Sequence, residues 1–330
     1  STTPHSRLLT DYVAEWRTAE ESAVWGTNKK AAVPFAAMAN SMSAHALDFD
    51  DTLYPGGGHP ASVMVPTAMS MAEKRGDVDG QEFLTAVIAG YEVVNVIGHA
   101  LNPKKFILKG FYNSVPKVFG SATVAAKLMG LDEEKVLRAL GIAATQAAGL
   151  YSGTVTKRIN NPKAVLGGIL AAELADRGLE APVDVLEASY SGFLRTFSED
   201  PLIDIVTRDI GKYAFEIFHK YYPCIRSNHP AVEGIRVMMD EHPDLKPDIV
   251  EKITVRADTI TVKYTVDTSG GGHLVETIGN ALISLPYCVA AMMVDGELTI
   301  DQFVKEKIID PKIQRLLKKV EVVADTEIDK

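Results

Sequence analysis

Apolar residues recur three and four apart through most of the first two hundred positions, a spacing that predicts helices packed on helices. It appears in LLTDYVAEWRT (8–18), in the Ala/Met/Ser-rich AAVPFAAMANSMSAHALDF and in HPASVMVPTAMSMAEKRG, where His59-Pro60 starts a helix and Gly76 stops it. A long apolar helix follows behind the N-cap Asp79 (DGQEFLTAVIAGYEVVNVIGHAL). Small-residue helices are then predicted in GSATVAAKLMG, in LDEEKVLRALGIAATQAAGL with Asp132 as cap, and in VLGGILAAELADRG. Two basic stretches, NPKKFILKGFYNSVPKVFG and YSGTVTKRINNPKA, read as loops between them.

Beyond about residue 215 the pattern changes. EKITVRADTITVKYTVDTS and KKVEVVAD alternate apolar with polar residues and are rich in β-branched side chains, so strands are expected to enter only here. Helices NHPAVEGIRVMMDEH, ALISLPYCVAAMMVDG and IDQFVKEKIID lie among them. The predicted fold is mainly α, with a large all-helical domain over residues 1–217 and a smaller α+β domain over 218–330.

Composition narrows the function. At 330 residues and 46% hydrophobic, the chain has ample core for one large or two ordinary domains. A net charge of -9 without a Lys/Arg-rich run argues against a nucleic-acid partner. Only two cysteines, Cys224 and Cys288, in no metal-ligand spacing, point to a reducing compartment: the cytoplasm, with the mitochondrial matrix as alternative. The polar Ser1–Thr10 does not read as a signal peptide, and no run approaches the roughly 18 apolar residues of a membrane span, so no membrane partner is expected.

Chemistry concentrates in HALDFDDTLYPGGGHP, residues 45–60. A helix continued through Thr52 would put His45, Asp48 and Thr52 on one face, with Asp50 and Asp51 pointing elsewhere. Pro55 and three glycines would then let His59 fold back. An Asp and a His converging in this way suit proton abstraction. The plainer alternative is a solvated helix terminus with His45 in the core. An oxygen-rich set could also hold a hard cation, but no second His/Asp cluster follows downstream, and no metal is expected.

Two further clusters stand out. Lys157 and Arg158, between apolar helices, either snorkel to solvent or bind an anion. KYYPCIRSNHP (220–230) gathers Lys220, two tyrosines, Cys224, Arg226 and His229 at the domain boundary, where clefts form. Cys224 has a neighbouring arginine but no evident base, so His229 is the better candidate to reach such a cleft.

The stretches VWGTNKKAAVPFAAMANSMSAHALDFDDT, HPASVMVPTAMSMAE, FGSATVAAKLMGLD, GTVTKR, KYYPCIRSNHPAVEGI and SLPYCVAAMMVDGELTIDQF occur in this order over nearly the whole chain. Together they resemble the MmgE/PrpD family of 2-methylcitrate dehydratases, cis-aconitate decarboxylases and iminodisuccinate epimerases. The resemblance implies a homodimer without metal or organic cofactor, in which the helical domain and an α+β lid enclose a small polycarboxylate. By motif, Asp48, Thr52 and His59 match the family's Asp, Thr and His, Lys157 its active-site lysine, His229 its lid histidine and Tyr287 a lid tyrosine. Three departures are visible. The TLYPGGGH segment is one residue longer than usual, Phe111 or Tyr112 stands where the family has a histidine, and Asn160 replaces a second one. The family also continues past VVAD, so the resemblance implies a chain truncated at its C-terminal end.

The expected activity is that of a lyase or isomerase moving a proton next to a carboxylate of a small di- or tricarboxylate, with dehydration, decarboxylation and epimerisation all open. His59 is expected as general acid/base, Asp48 as its partner, and His229 as the residue the lid brings in. Lys157, with Arg158, is expected to bind a substrate carboxylate and offset enolate-like charge. Thr52, Tyr112, Asn160 and Tyr287 are expected to line the substrate. The alternative is a catalytically silent paralogue that binds a carboxylate or a protein partner without turnover.

Overall fold

Thr3 opens the first helix, α1 (Pro4–Glu15), by accepting from the Ser6 N–H, and Pro4 suits a position where the helix needs no donor. The computed structural model describes residues 3–150, 157–267 and 272–329. Contacts divide the chain into two units. The first continues with β1 (Ser22–Ala23), β2 (Lys30–Ala31), α2 (Val33–His45), β3 (Thr52–Tyr54), α3 (Ala61–Arg75) and α4 (Gly80–Ala100). It is completed by α5 (Pro103–Leu108), α6 (Lys117–Leu128), α7 (Glu133–Gln146), α8 (Lys157–Asp176), α9 (Phe193–Phe197), α10 (Asp204–Asp209) and β4 (Glu216–Phe218).

The core of this unit forms where α8 packs on α2, α6 and α7, and α6 packs on α4. Small residues set the spacing. A Cβ at Gly120 of α6 would meet the Gly90 carbonyl of α4 at 2.8 Å, so only glycine allows the two helices this approach. The predicted caps form as well: Asp79 accepts from Glu82 N, Asp132 from Lys135 N, and Gly76 ends α3 at positive φ.

Three expectations need correction here. Strands do not wait until residue 215: β1 pairs with β2, and β3 pairs antiparallel with β4, Leu53 opposite Ile217. Lys157–Ala164, read as loop from its polar composition, forms the first turns of α8 because packing on α2 and α6 outweighs local propensity. And α4, at 21 residues, is by length and composition apolar enough to cross a membrane. Much of α4 is used in packing against α3 and α6, and it also buries Tyr91, Glu92 and Asn95. Glu92 Oε1 accepts from the N–H groups of Gly211 (2.8 Å) and Tyr213 (3.0 Å), while its Oε2 is buried without a hydrogen bond among the described residues.

The second unit takes residues 47–49 and the chain from Lys220 onward. It contains α11 (His229–Glu241), β5 (Ile253–Ala257), α12 (Thr259–Val262), α13 (Ile278–Ile283), α14 (Leu285–Asp295), α15 (Lys305–Ile308), α16 (Pro311–Leu317) and β6 (Val320–Ala324). Helix α14, buried along most of its length, packs between α11 and α16, and β5 pairs with β6 in parallel. The strand pattern expected over residues 251–269 stops at Ala257, and residues 268 and 269 lie outside the described residues. Asp258 accepts from Thr261 N at 2.9 Å and starts α12, a cap that overrides the β-branched pattern. Likewise the single helix expected over ALISLPYCVAAMMVDG is two, because Ser284 leaves the helical path and caps α14 through Tyr287 N. With three two-stranded sheets among the described residues, the fold is mainly α with a smaller α+β part.

Candidate active site

The site is built where α2 ends. Helix α2 stops at His45, Asp48 adopts a positive φ of 51°, and Thr52 lies in β3. The continuous helical face expected to carry His45, Asp48 and Thr52 is therefore not formed. Asp50, expected to point elsewhere, is instead buried with its Oδ2 2.8 Å from His45 Nδ1. A carboxylate only accepts at such a contact when ionised, so this geometry makes Nδ1 of His45 the donor.

Gly57 and Gly58, at φ of 80° and 84°, turn the chain back, and Leu53 N donates to Gly58 O at 3.0 Å to close the loop. The turn delivers His59 next to His45, ring centroids 5.2 Å apart. His59 Nδ1 lies 2.6 Å from the Asp51 carbonyl and 3.9 Å from Asp50 Oδ1. A carbonyl cannot donate, so Nδ1 carries the proton and Nε2 the lone pair of the neutral ring.

Asp51 itself caps α3, accepting from Ala61 N at 3.0 Å, and takes the Tyr91 hydroxyl at 2.7 Å. Burial pushes its carboxyl up to about 6; neighbouring Asp50 adds to the rise, while the Tyr91 bond, the Ala61 N–H and Lys117 oppose it. Burial and Asp51 in turn hold the Tyr91 phenol well above its ordinary range.

This shift predicts a pH dependence. A carboxyl raised on folding keeps a proton that the unfolded chain releases, so its contribution favours the fold at low pH and is lost as pH rises from about 4 to 6. Asp51→Asn keeps an oxygen for the Ala61 N–H and can donate from Nδ2 to the Tyr91 oxygen, but cannot ionise. Its stability relative to the parent is expected to improve between pH 4 and 7 by at most about 3 kcal/mol. Urea unfolding at pH 4, 5.5 and 7 measures this, and a pH-independent difference would contradict it.

The first turn of α8 faces the same region. Arg158 is only 2% exposed and donates from Nε to the Ala46 carbonyl at 3.1 Å, so it does not snorkel to solvent. The Lys157 side chain and residues 151–156, which include the GTVT stretch, lie outside the described residues. Asn160 is half-buried, whereas its neighbour Asn161 is fully buried and bridges α6 and α3. Asn161 Oδ1 accepts from Lys117 Nζ at 2.9 Å, and its Nδ2 donates to Ser62 Oγ at 2.8 Å. Ser62 Oγ donates in turn to the His59 carbonyl at 2.9 Å. Thr52 Oγ1 is buried without a hydrogen bond among the described residues. Tyr112 is buried just ahead of α6, with its backbone N–H on Gly149 O at 3.0 Å.

The remaining candidates belong to the second unit. Asp48 and Lys220 form an ion pair with side chains 2% and 1% exposed, and Lys220 Nζ also donates to the Asp48 carbonyl at 2.6 Å. His229 opens α11 with its ring edge-on to Tyr222 (5.4 Å between centroids) and its Nε2 buried without a hydrogen bond among the described residues. It lines a groove of about 690 Å³ with Tyr221, Tyr222, Glu233 and Arg236. Tyr287 is completely buried, its hydroxyl donating to the Gln302 carbonyl. Cys224 is also fully buried; desolvation and the Cys288 thiol push its own thiol well above the ordinary range, and neighbouring His229 opposes the rise.

The structure thus brings His59 together with His45, Asp50 and Asp51, and ties it to Ser62, Asn161 and Lys117. Sequence reasoning assigned no role to these last three or to Tyr91. The available signal was polarity inside otherwise apolar helices: Tyr91 within α4 and Lys117 at the head of α6 both interrupt such patterns.

Residues 1–205 match the MmgE/PrpD N-terminal domain and residues 222–330 the MmgE/PrpD C-terminal domain. Among curated proteins, a cis-aconitate decarboxylase-like protein of Aspergillus oryzae is 29% identical over 93% of this chain and 68% of its own length. The cis-aconitate decarboxylase of Aspergillus terreus is 29% identical over 93% of this chain and 66% of its own. The cis-aconitate decarboxylase of Homo sapiens is 28% identical over 98% and 68%. This chain spans about two thirds of the length of these relatives. On the two domain matches, which between them leave only residues 206–221 uncovered, the chain belongs to the MmgE/PrpD family.

Proposed function

We propose that the chain is a lyase of a small tricarboxylate, with cis-aconitate or a close analogue as substrate and decarboxylation as the reaction. The observation that carries this reading is the placement of His59 Nδ1 against the Asp51 carbonyl. With Nδ1 donating to the Asp51 carbonyl at 2.6 Å, Nε2 is the nitrogen that gains and gives a proton. In the reaction the bond to one carboxylate carbon breaks, CO2 leaves, and the electron pair moves into the double-bond framework. A proton then adds at carbon. In this reading protonated His59 delivers that proton from Nε2 and is reprotonated from solvent.

Arg158, buried beside the end of α2, and Lys157 would balance the carboxylates that remain on the substrate. The Thr52 hydroxyl, buried and unpaired, is suited to a substrate oxygen. His229 and Asp48 complete the proposed set, with Tyr112 and Asn160 as further lining residues, whereas Tyr287, buried with its hydroxyl on the Gln302 carbonyl, packs the core instead. The proposed working state is a cytoplasmic homodimer.

A second reading, a silent paralogue that binds a carboxylate or a protein partner without turnover, is favoured by Phe111 or Tyr112, and Asn160, standing where the resemblance implies histidines. Incubation with cis-aconitate, citrate and methylcitrate in D2O, followed by NMR, separates the two. Decarboxylation with one deuterium placed at carbon supports the lyase. Thermal stabilisation by an acid that is never converted or exchanged supports the silent paralogue. Neither stabilisation nor conversion by any of the acids would overturn both.

A further inference from the structure

Lys117 is the first residue of α6 and is completely buried. An ammonium removed from water is costly unless well paired, and the positive end of a helix dipole adds to that cost. The first turn of α6 contains no acidic residue to offset it. A methionine of similar volume would fill the same space without desolvating a charge, so packing alone does not account for a lysine at this position.

Its contacts lead to the proposed acid/base. The Lys117 ammonium donates to Asn161 Oδ1 at 2.9 Å, Asn161 Nδ2 to Ser62 Oγ at 2.8 Å, and Ser62 Oγ to the His59 carbonyl at 2.9 Å. The stem of the lysine reaches the same turn directly. A Cβ on Gly58 would stand 2.9 Å from Lys117 Cε, and Gly58 has a φ of 84° besides. The charge also acts on Asp51, the residue whose carbonyl holds His59 Nδ1. Lys117 therefore meets the His59 turn from two sides, through a hydrogen-bonded chain across α8 and α3 and through packing on Gly58.

We propose that Lys117 is a positioning residue, which holds the 56–59 turn so that His59 keeps Nδ1 on the Asp51 carbonyl. Its consequence for turnover rests on the function proposed above, but the geometry can be read without any substrate.

The test uses the full chain with 15N-labelled histidine, comparing the His59 ring nitrogens in the parent, Lys117→Met, Lys117→Gln and Ser62→Ala. The parent is expected to show Nδ1 protonated. Lys117→Met and Ser62→Ala are expected to mix the two tautomers, while Lys117→Gln, which keeps a donor toward Asn161, restores part of the parent signature. On cis-aconitate, a displacement of about 1 Å corresponds to a kcat loss of roughly 100-fold in Lys117→Met with KM little changed. An unchanged His59 tautomer in folded Lys117→Met overturns the proposal. Should that variant not fold, an unchanged tautomer in Ser62→Ala, which cuts the chain without touching a charge, overturns it instead. If the parent converts no tricarboxylate, the proposed function fails, and the tautomer measurement still decides the role of Lys117.

Discussion

His59→Ala is expected to lower kcat on cis-aconitate by about a thousandfold, within the range that a positioned acid/base supplies. Substrate affinity should change little, because the proposed carboxylate contacts come from Arg158, Lys157 and Thr52. The local fold should survive. Asp51 still caps α3 through its side chain, and the loop bond from Leu53 N to Gly58 O does not involve the imidazole. His59→Gln sharpens the experiment: its amide can donate to the Asp51 carbonyl as Nδ1 does, but it cannot carry a proton to carbon. The two variants should therefore be equally slow. If Gln recovers most of the rate, His59 serves by hydrogen bonding alone. If Ala stays within tenfold of the parent, another group moves the proton, and His45, 5.2 Å away ring to ring, is the next imidazole to test.

Local order was largely legible in the sequence. Asp79, Asp132 and Gly76 mark helix ends by interactions confined to one turn, and all three act as their positions predict. The glycines ahead of His59 signalled a chain reversal for the same reason: positive φ is a property of the residue itself. What stayed hidden depends on partners far along the chain. Asp51 meets Tyr91 forty positions away, and Lys117 meets Asn161 across α8, contacts that no periodicity encodes. The choice between Asn160 and Asn161 is a single step along a helix, a rotation of about 100°. That step decides which amide enters the core, and composition cannot resolve it. The end of α2 was misplaced because HALDFD contains no strong breaker, and Asp48 leaves the helix through a left-handed backbone that Asp tolerates better than most residues.

Lys220→Met is expected to destabilise the fold by about 3–5 kcal/mol, the cost typical of removing one partner of a buried ion pair. The Asp48 carboxylate lies out of water and Lys220 is its partner at both the side chain and the carbonyl, so removing the ammonium leaves two acceptors short of a donor. The converse change, Asp48→Asn, should cost less, because the amide oxygen still accepts from Lys220 and the backbone contact at 2.6 Å is kept. In the double variant, Asp48→Asn with Lys220→Met, neither charge of the pair remains, and part of the loss should return. A coupling energy of more than about 1 kcal/mol in this cycle, measured by urea unfolding, is the expected result. Additive losses would mean that the pair contributes no interaction of its own, and that Lys220 matters only through the packing of its stem. A positive coupling gives the unusual backbone of Asp48 a physical cause: the segment 47–49 joins the second unit, where its carboxylate and carbonyl both accept from Lys220.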